Sequence, residues 1–145
     1  MYRSYKRFIG YSTAFRQWKA DSHCSTIHGY AFCFKVWFEG ELDDNGWVID
    51  FGCFKRNGVK EWLKHMFDHT TCVSADDPEL EMFQELHKRG IIDLRILPDG
   101  VGCEKFAEHV ALYLQDIVDK ETDGRVKVHK AQCWEHNDNM AEYIL

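Results

Sequence analysis

Residues 30–39, Tyr30-Ala31-Phe32-Cys33-Phe34-Lys35-Val36-Trp37-Phe38-Glu39, alternate without a break. Tyr30, Phe32, Phe34, Val36 and Phe38 share one parity; Cys33, Lys35, Trp37 and Glu39 share the other. Successive side chains of a strand point to opposite faces, so this stretch predicts a strand with one wholly apolar face. Upstream, residues 5–15 alternate more weakly and predict an antiparallel partner strand, with Tyr5, Ile9, Tyr11 and Phe15 on one side. Residues 16–27 between them are polar and irregular and predict a long loop.

Downstream, Asp43-Asp44-Asn45-Gly46 is a turn. After a short segment, Trp47 to Phe51, the stripe Val59, Trp62, Leu63 and Met66 predicts a helix over 53–67, weakened locally at Gly58. Asp77-Pro78 reads as an N-cap followed by proline at the first helical position, opening a helix that carries Leu80, Phe83 and Leu86 and stops at Gly90. Ile92, Leu94 and Ile96 suggest a short strand. A longer helix follows over 103–120, with Phe106, Val110, Tyr113, Leu114 and Ile117 inward. Gly124 turns the chain into a strand over 126–135, and the last residues read as a short strand or tail. This order predicts the α+β class, with two main helices on one face of a four-stranded antiparallel sheet and a helix-containing insertion between them. So small a sheet leaves exposed edges, and pairing them in a ring of subunits is one way to cover them.

The 145 residues suit a single domain, and 45% hydrophobic with 14% aromatic content suits a packed core rather than disorder. A net charge of −6 disfavours nucleic acid as a partner. Arg3, Lys6 and Arg7 are interleaved with Tyr2, Tyr5 and Phe8, as on a solvated edge strand. The six cysteines form no Cys-x-x-Cys pair, and the start of the chain has no apolar signal run. Reduced thiols in a cytoplasmic protein are therefore expected. No stretch approaches the roughly 20 apolar residues needed to span a membrane.

Three places carry chemistry. Ser22-His23-Cys24-Ser25-Thr26-Ile27-His28-Gly29-Tyr30 puts a cysteine and two histidines in a loop held by a strand, where reactive groups collect. Asp68-His69, at the end of the first helix, can supply an imidazole whose tautomer a carboxylate fixes; a histidine there also simply suits the helix dipole. Glu135 ends the late strand and could accept two hydrogen bonds from a flat ligand edge, or be no more than an exposed charge.

Taken together, these elements resemble the 6-pyruvoyl-tetrahydropterin synthase superfamily. The resemblance rests on Cys24-x3-His28-Gly29, on Gly46-Trp47-Val48-Ile49-Asp50-Phe51 opening the first helix, on Asp68-His69 and on Glu135. Gly102-Cys103-Glu104 stands where the family has a glutamate near the start of its second helix, without the family's Pro-Thr. Residues 74–97 look like an insertion relative to the shortest members. The three residues between Cys24 and His28 resemble the 6-carboxy-tetrahydropterin synthases of queuosine biosynthesis; the animal 6-pyruvoyl enzymes have a longer gap.

The resemblance implies the tunnelling fold and a homo-oligomer, by analogy a hexamer, with pockets between subunits. It implies a lyase converting 7,8-dihydroneopterin triphosphate to 6-carboxy-5,6,7,8-tetrahydropterin, releasing acetaldehyde and triphosphate. Glu135 would anchor the pterin, with Glu104 assisting; Cys24 would be the general base, and Asp68 and His69 would relay protons. The alternatives are a 6-pyruvoyl-type lyase and a non-catalytic pterin- or purine-binding protein.

The family's zinc site is where the pattern breaks. Members bind Zn²⁺ through three histidines, two in His-Gly-His and one ending the first strand. Here His28 remains, but Tyr30 and Phe15 occupy the other two positions. Phenylalanine cannot ligate and a neutral phenol is a poor zinc ligand. Three readings stay open: zinc or another divalent metal held by His28 with His23 or the Cys24 thiolate, a metal-free enzyme, or a degenerate pterin binder.

Overall fold

The computed structural model describes residues 1–145. β1 (Tyr2–Phe15) and β2 (His28–Gly40) form the long antiparallel hairpin that the alternation predicts, with Phe15 opposite His28 and Tyr2 opposite Gly40. A register shift between Ile9 and Tyr11 is a bulge at Gly10. The extra residue changes the parity of β1, so Phe8 faces the core before it, and Tyr11, Thr13 and Phe15 after it. Tyr5 and Ile9, expected on the same side as Tyr11 and Phe15, are exposed for this reason.

The Trp47–Phe51 segment leads into α1 (Gly52–Arg56), and α2 (Val59–Phe67) follows. The single helix expected over 53–67 is thus two, broken at Asn57-Gly58, where Gly58 takes a left-handed φ of 67° that other residues disfavour. β3 (Thr70–Ser74), α3 (Leu80–Lys88) and β4 (Leu94–Leu97) come next, then α4 (Cys103–Thr122), β5 (Val126–His136) and β6 (Asn139–Ile144). Asp77 is not the N-cap of α3; Glu79 is, and the Asp77 carboxylate accepts from the Glu79 N–H at 2.9 Å while turning mainly to Arg16.

The strands lie in the order β4-β3-β1-β2-β5-β6. β1, β2, β5 and β6 make the expected antiparallel four, but β3 pairs in parallel with β1, and β4 in parallel with β3. The sheet is therefore six-stranded and mixed, not four-stranded and antiparallel. All five residues of β3 are buried, so it has no polar–apolar alternation to betray it. The helices cover the Phe32-Phe34-Val36-Phe38 face. Phe106 of α4 packs on Phe15, Phe32 and Phe67, and Trp62 of α2 stacks on Tyr113 of α4 with ring centroids 3.7 Å apart. One cluster of 28 buried residues joins these elements. All six cysteines are unpaired, and no helix is long and apolar enough to cross a membrane.

Candidate active site

The end of β1, the start of β2, the end of β5 and the entrance to α4 meet at one end of the helix-covered face. Alternation along β2 sends His28, Tyr30 and Phe32 the same way. The Phe15 ring, 2% exposed, lies 4.7 Å from the His28 ring and 6.4 Å from that of Tyr30. Tyr30 meets His28 edge-on at 5.7 Å and stands 6.1 Å from the His136 ring. Gly29 lets the two strands close here: a Cβ on it would stand 2.5 Å from the Thr13 carbonyl oxygen.

Cys24 sits in a 3-10 turn (His23–Ser25) whose N-cap Ser22 accepts the Cys24 N–H at 3.2 Å. The Cys24 carbonyl accepts from the Gln17 N–H at 2.8 Å, and the Gln17 amide donates to the Val101 carbonyl, also at 2.8 Å. The loop is thereby fastened to the entrance of α4. Cys24 is half-buried and Glu104, in the first turn of α4, is exposed.

Tyr30 marks where these parts converge. Burial first, then the charge on Glu135, then Cys24 and Cys103, push its phenol up from the ordinary value, so it is held protonated. Glu135 is half-buried near the end of β5, next to His136, whose ring stands 6.1 Å from that of Tyr30. In the sequence Tyr30 stands on the apolar face of its strand and in the place of a family histidine, and its i+2 spacing from His28 gives its orientation but no chemical role.

Asp68 and His69 lie elsewhere. Asp68 caps α2; its Oδ1 accepts the Ser12 N–H at 3.2 Å and stands 3.0 Å from His69 Nδ1. The Ser12 contact first, and His69 beside it, hold the Asp68 carboxyl below the usual carboxylate range. His69 adopts a left-handed φ of 58°, and its side chain is 86% exposed. It borders an open cleft of about 470 Å³ with Ser12, Ala14, Gly29, Ile91 and Asp93. The Asp-His pair expected at the helix end thus exists, but it flanks β1 on the β3 side, where only Gly29 of β2 borders its cleft.

The metal expectation fares differently. His28 Nδ1 lies 2.8 Å from the Thr26 carbonyl, which can only accept, so that nitrogen carries its hydrogen. His23 is exposed on the 3-10 turn. Nowhere do three or more His, Cys, Asp or Glu side chains gather to hold a metal ion, and the buried Phe15 ring fills the position of one family ligand. The residues present do not fit the family's three-histidine zinc.

Comparison with known proteins is consistent with this architecture. A protein of Pyrococcus horikoshii provisionally named 6-carboxy-5,6,7,8-tetrahydropterin synthase is 26% identical over 140 residues, covering 90% of this chain and 82% of the relative. The 6-carboxy-5,6,7,8-tetrahydropterin synthase of Rickettsia conorii is 29% identical over 75 residues, 51% of this chain and 54% of its own. Among solved structures, an uncharacterized protein of Wolinella succinogenes superposes with a TM-score of 0.82 at 17% identity, covering 99% of this chain and 97% of its own. The 6-pyruvoyl tetrahydropterin synthase of Plasmodium falciparum superposes with a TM-score of 0.68 at 16% identity, covering 99% of both chains. At such identities these structures speak for the fold alone. The family profile described as 6-pyruvoyl tetrahydropterin synthase matches residues 5–144, and the chain belongs to that family.

Proposed function

We propose that this chain is a pterin lyase that converts 7,8-dihydroneopterin triphosphate to 6-carboxy-5,6,7,8-tetrahydropterin, with release of acetaldehyde and triphosphate. The observation that carries the reading is the convergence at one end of the sheet of the Cys24 turn, tied through Gln17 to the entrance of α4, and of Tyr30, whose ring stands 6.1 Å from that of His136, next to Glu135 in β5. Glu135 is the pterin anchor: a carboxylate accepts two N–H donors from the amino-pyrimidine edge in a charge-assisted pair. Glu104, exposed at the entrance to α4, assists it. Cys24, half-buried on its turn and within reach of solvent, is the general base on the 6-side chain.

Asp68 and His69 are the proton relay. The exposure of His69 on the far side of β1 supports a homo-oligomer, a hexamer by analogy, in which the pair of one subunit faces Cys24 of another. The pathway is that of queuosine, and the compartment the cytoplasm.

Incubating the purified protein with the triphosphate and analysing products by mass spectrometry tests the reading. Acetaldehyde with 6-carboxy-tetrahydropterin is expected. Loss of triphosphate without acetaldehyde would instead indicate a 6-pyruvoyl-type lyase. The buried Phe15 in a ligand position favours one further alternative, a non-catalytic pterin binder, which would retain the substrate unchanged.

A further inference from the structure

We propose that Tyr30 is a catalytic residue whose hydroxyl donates a hydrogen bond to the oxygen on the pterin's 6-side chain, in the place of a metal ion. This rests on the pterin-lyase reading above. When Cys24 takes the proton of a hydroxyl on the 6-side chain, the electron pair of the broken O–H bond stays on that oxygen, and some electrophile must meet that charge. No cluster of three or more metal-binding side chains exists to supply one. Where a second ligand would stand, Phe15 offers only carbon, and its ring is closed in by His28 at 4.7 Å, Phe106 at 5.5 Å and Phe32 at 5.9 Å. An ion there would lose its hydration to an apolar ring, a cost that pairing alone offsets.

Tyr30 leaves β2 on the same face as His28, two residues on, so its hydroxyl is carried in the same direction as a ligand at that position. The ring is braced by Phe32 at 5.7 Å, by His28 and by His136. Such bracing fixes the donor before substrate arrives, which is what makes a hydrogen bond to a developing oxyanion effective. The Tyr30 ring stands 6.1 Å from that of His136, the residue after Glu135 in β5, and Tyr30 lies in β2 just beyond the Cys24 turn. A pterin held by Glu135 with its side chain toward the Cys24 turn therefore extends past Tyr30. A phenol is a neutral O–H donor near pH 7 and needs no counter-ion.

Three measurements on the full-length protein test this. Elemental analysis of wild type purified without chelator should find well below one metal per chain, with turnover unaffected by EDTA. Tyr30→Phe keeps the ring and removes only the donor; kcat should fall about 10²–10³-fold, with an unchanged melting curve. Calorimetry should show Tyr30→Phe binding neopterin about tenfold more weakly than wild type, the scale of one hydrogen bond. Binding of pterin without a side chain should be unchanged. A stoichiometric metal whose removal abolishes turnover overturns the inference, as does Tyr30→Phe with wild-type kcat and neopterin affinity. If wild type turns the substrate over while Tyr30→Phe is unimpaired, the inference alone fails. If wild type neither binds pterin nor turns over the triphosphate, the pterin-lyase reading fails and takes this inference with it.

Discussion

The guanidinium of Arg16 grips the Asp77 carboxylate at both ends, Nε to Oδ2 at 2.9 Å and Nη2 to Oδ1 at 2.6 Å. Arg16 directly follows Phe15, its Nη1 reaches the Ser25 carbonyl at 3.5 Å, and its guanidinium carbon lies 5.9 Å from the Phe83 ring centroid. One side chain thus ties the end of β1, the Cys24 turn and the segment leading into α3. The Asp77 side chain is 1% exposed and that of Arg16 21%.

Asp77→Asn keeps the shape and removes the charge. Leaving a largely buried arginine unpaired costs about 3 kcal/mol, read from urea unfolding. The Arg16 hydrogen bonds hold the Asp77 carboxyl below its ordinary value. A depressed folded-state pKa contributes stability that is complete above the unfolded value of about 3.9 and is lost as pH falls through the folded value. Wild type should therefore lose stability on acidification below about pH 4 more steeply than Asp77→Asn. Parallel profiles would show that the pair contributes nothing to acid unfolding.

Glu135→Ala should abolish measurable pterin binding. Two charge-assisted hydrogen bonds at about 1.5 kcal/mol or more each amount to at least two orders of magnitude in Kd. Glu104 makes no hydrogen bond and is exposed, so Glu104→Ala should weaken binding less. Calorimetry with both variants decides the order, and an unchanged Kd in Glu135→Ala removes the anchor assignment.

Cysteine alkylation followed by peptide mapping should label Cys24 fastest and Cys33 next, because these two are partly exposed while Cys53, Cys72, Cys103 and Cys133 are buried. Burial pushes the Cys53 thiol up to about 11 and that of Cys72 up to about 12, so neither forms thiolate near neutrality. Cys24→Ala should eliminate turnover and leave the melting temperature unchanged. Full activity in that variant would mean that another group is the base.

His69 holds a left-handed backbone that glycine adopts without strain. Its ring touches little but Asp68. His69→Gly should therefore keep or raise stability, by up to about 1 kcal/mol, while turnover is lost. Thermal melts and product assays on the same preparation separate the two effects. Retained turnover would place the proton relay elsewhere.

The most legible parts were those with a clean local period. The Tyr30–Glu39 alternation became β2, the Phe106-Val110-Leu114 stripe became α4, and residues 126–135 fell within β5. Asp68-His69 was equally visible, because adjacency in sequence is adjacency in space. The short strand that Ile92, Leu94 and Ile96 suggest is β4, but β3 was harder. Thr70–Ser74 is buried throughout, and a strand covered on both faces carries no period of two. The Gly10 bulge inverted the outward-facing half of β1, since one extra residue shifts every later side chain to the other face.

Sequence alone determined that His28 and Tyr30 point the same way, that Phe15 cannot ligate a metal, and that a cysteine and a glutamate suited to pterin chemistry are present. Residue type and local period decide those things without reference to distant parts of the chain. Only the tertiary structure decided that the Tyr30 ring stands by His136, the residue after Glu135, that Arg16 clamps the Cys24 turn to the segment before α3, and that Asp68-His69 lies on the β3 side of β1. These depend on strand order and on which ends of β1, β2, β5 and α4 come together. That order is set by burial of one shared core and by pairing of backbone groups far apart in sequence, which no local pattern encodes.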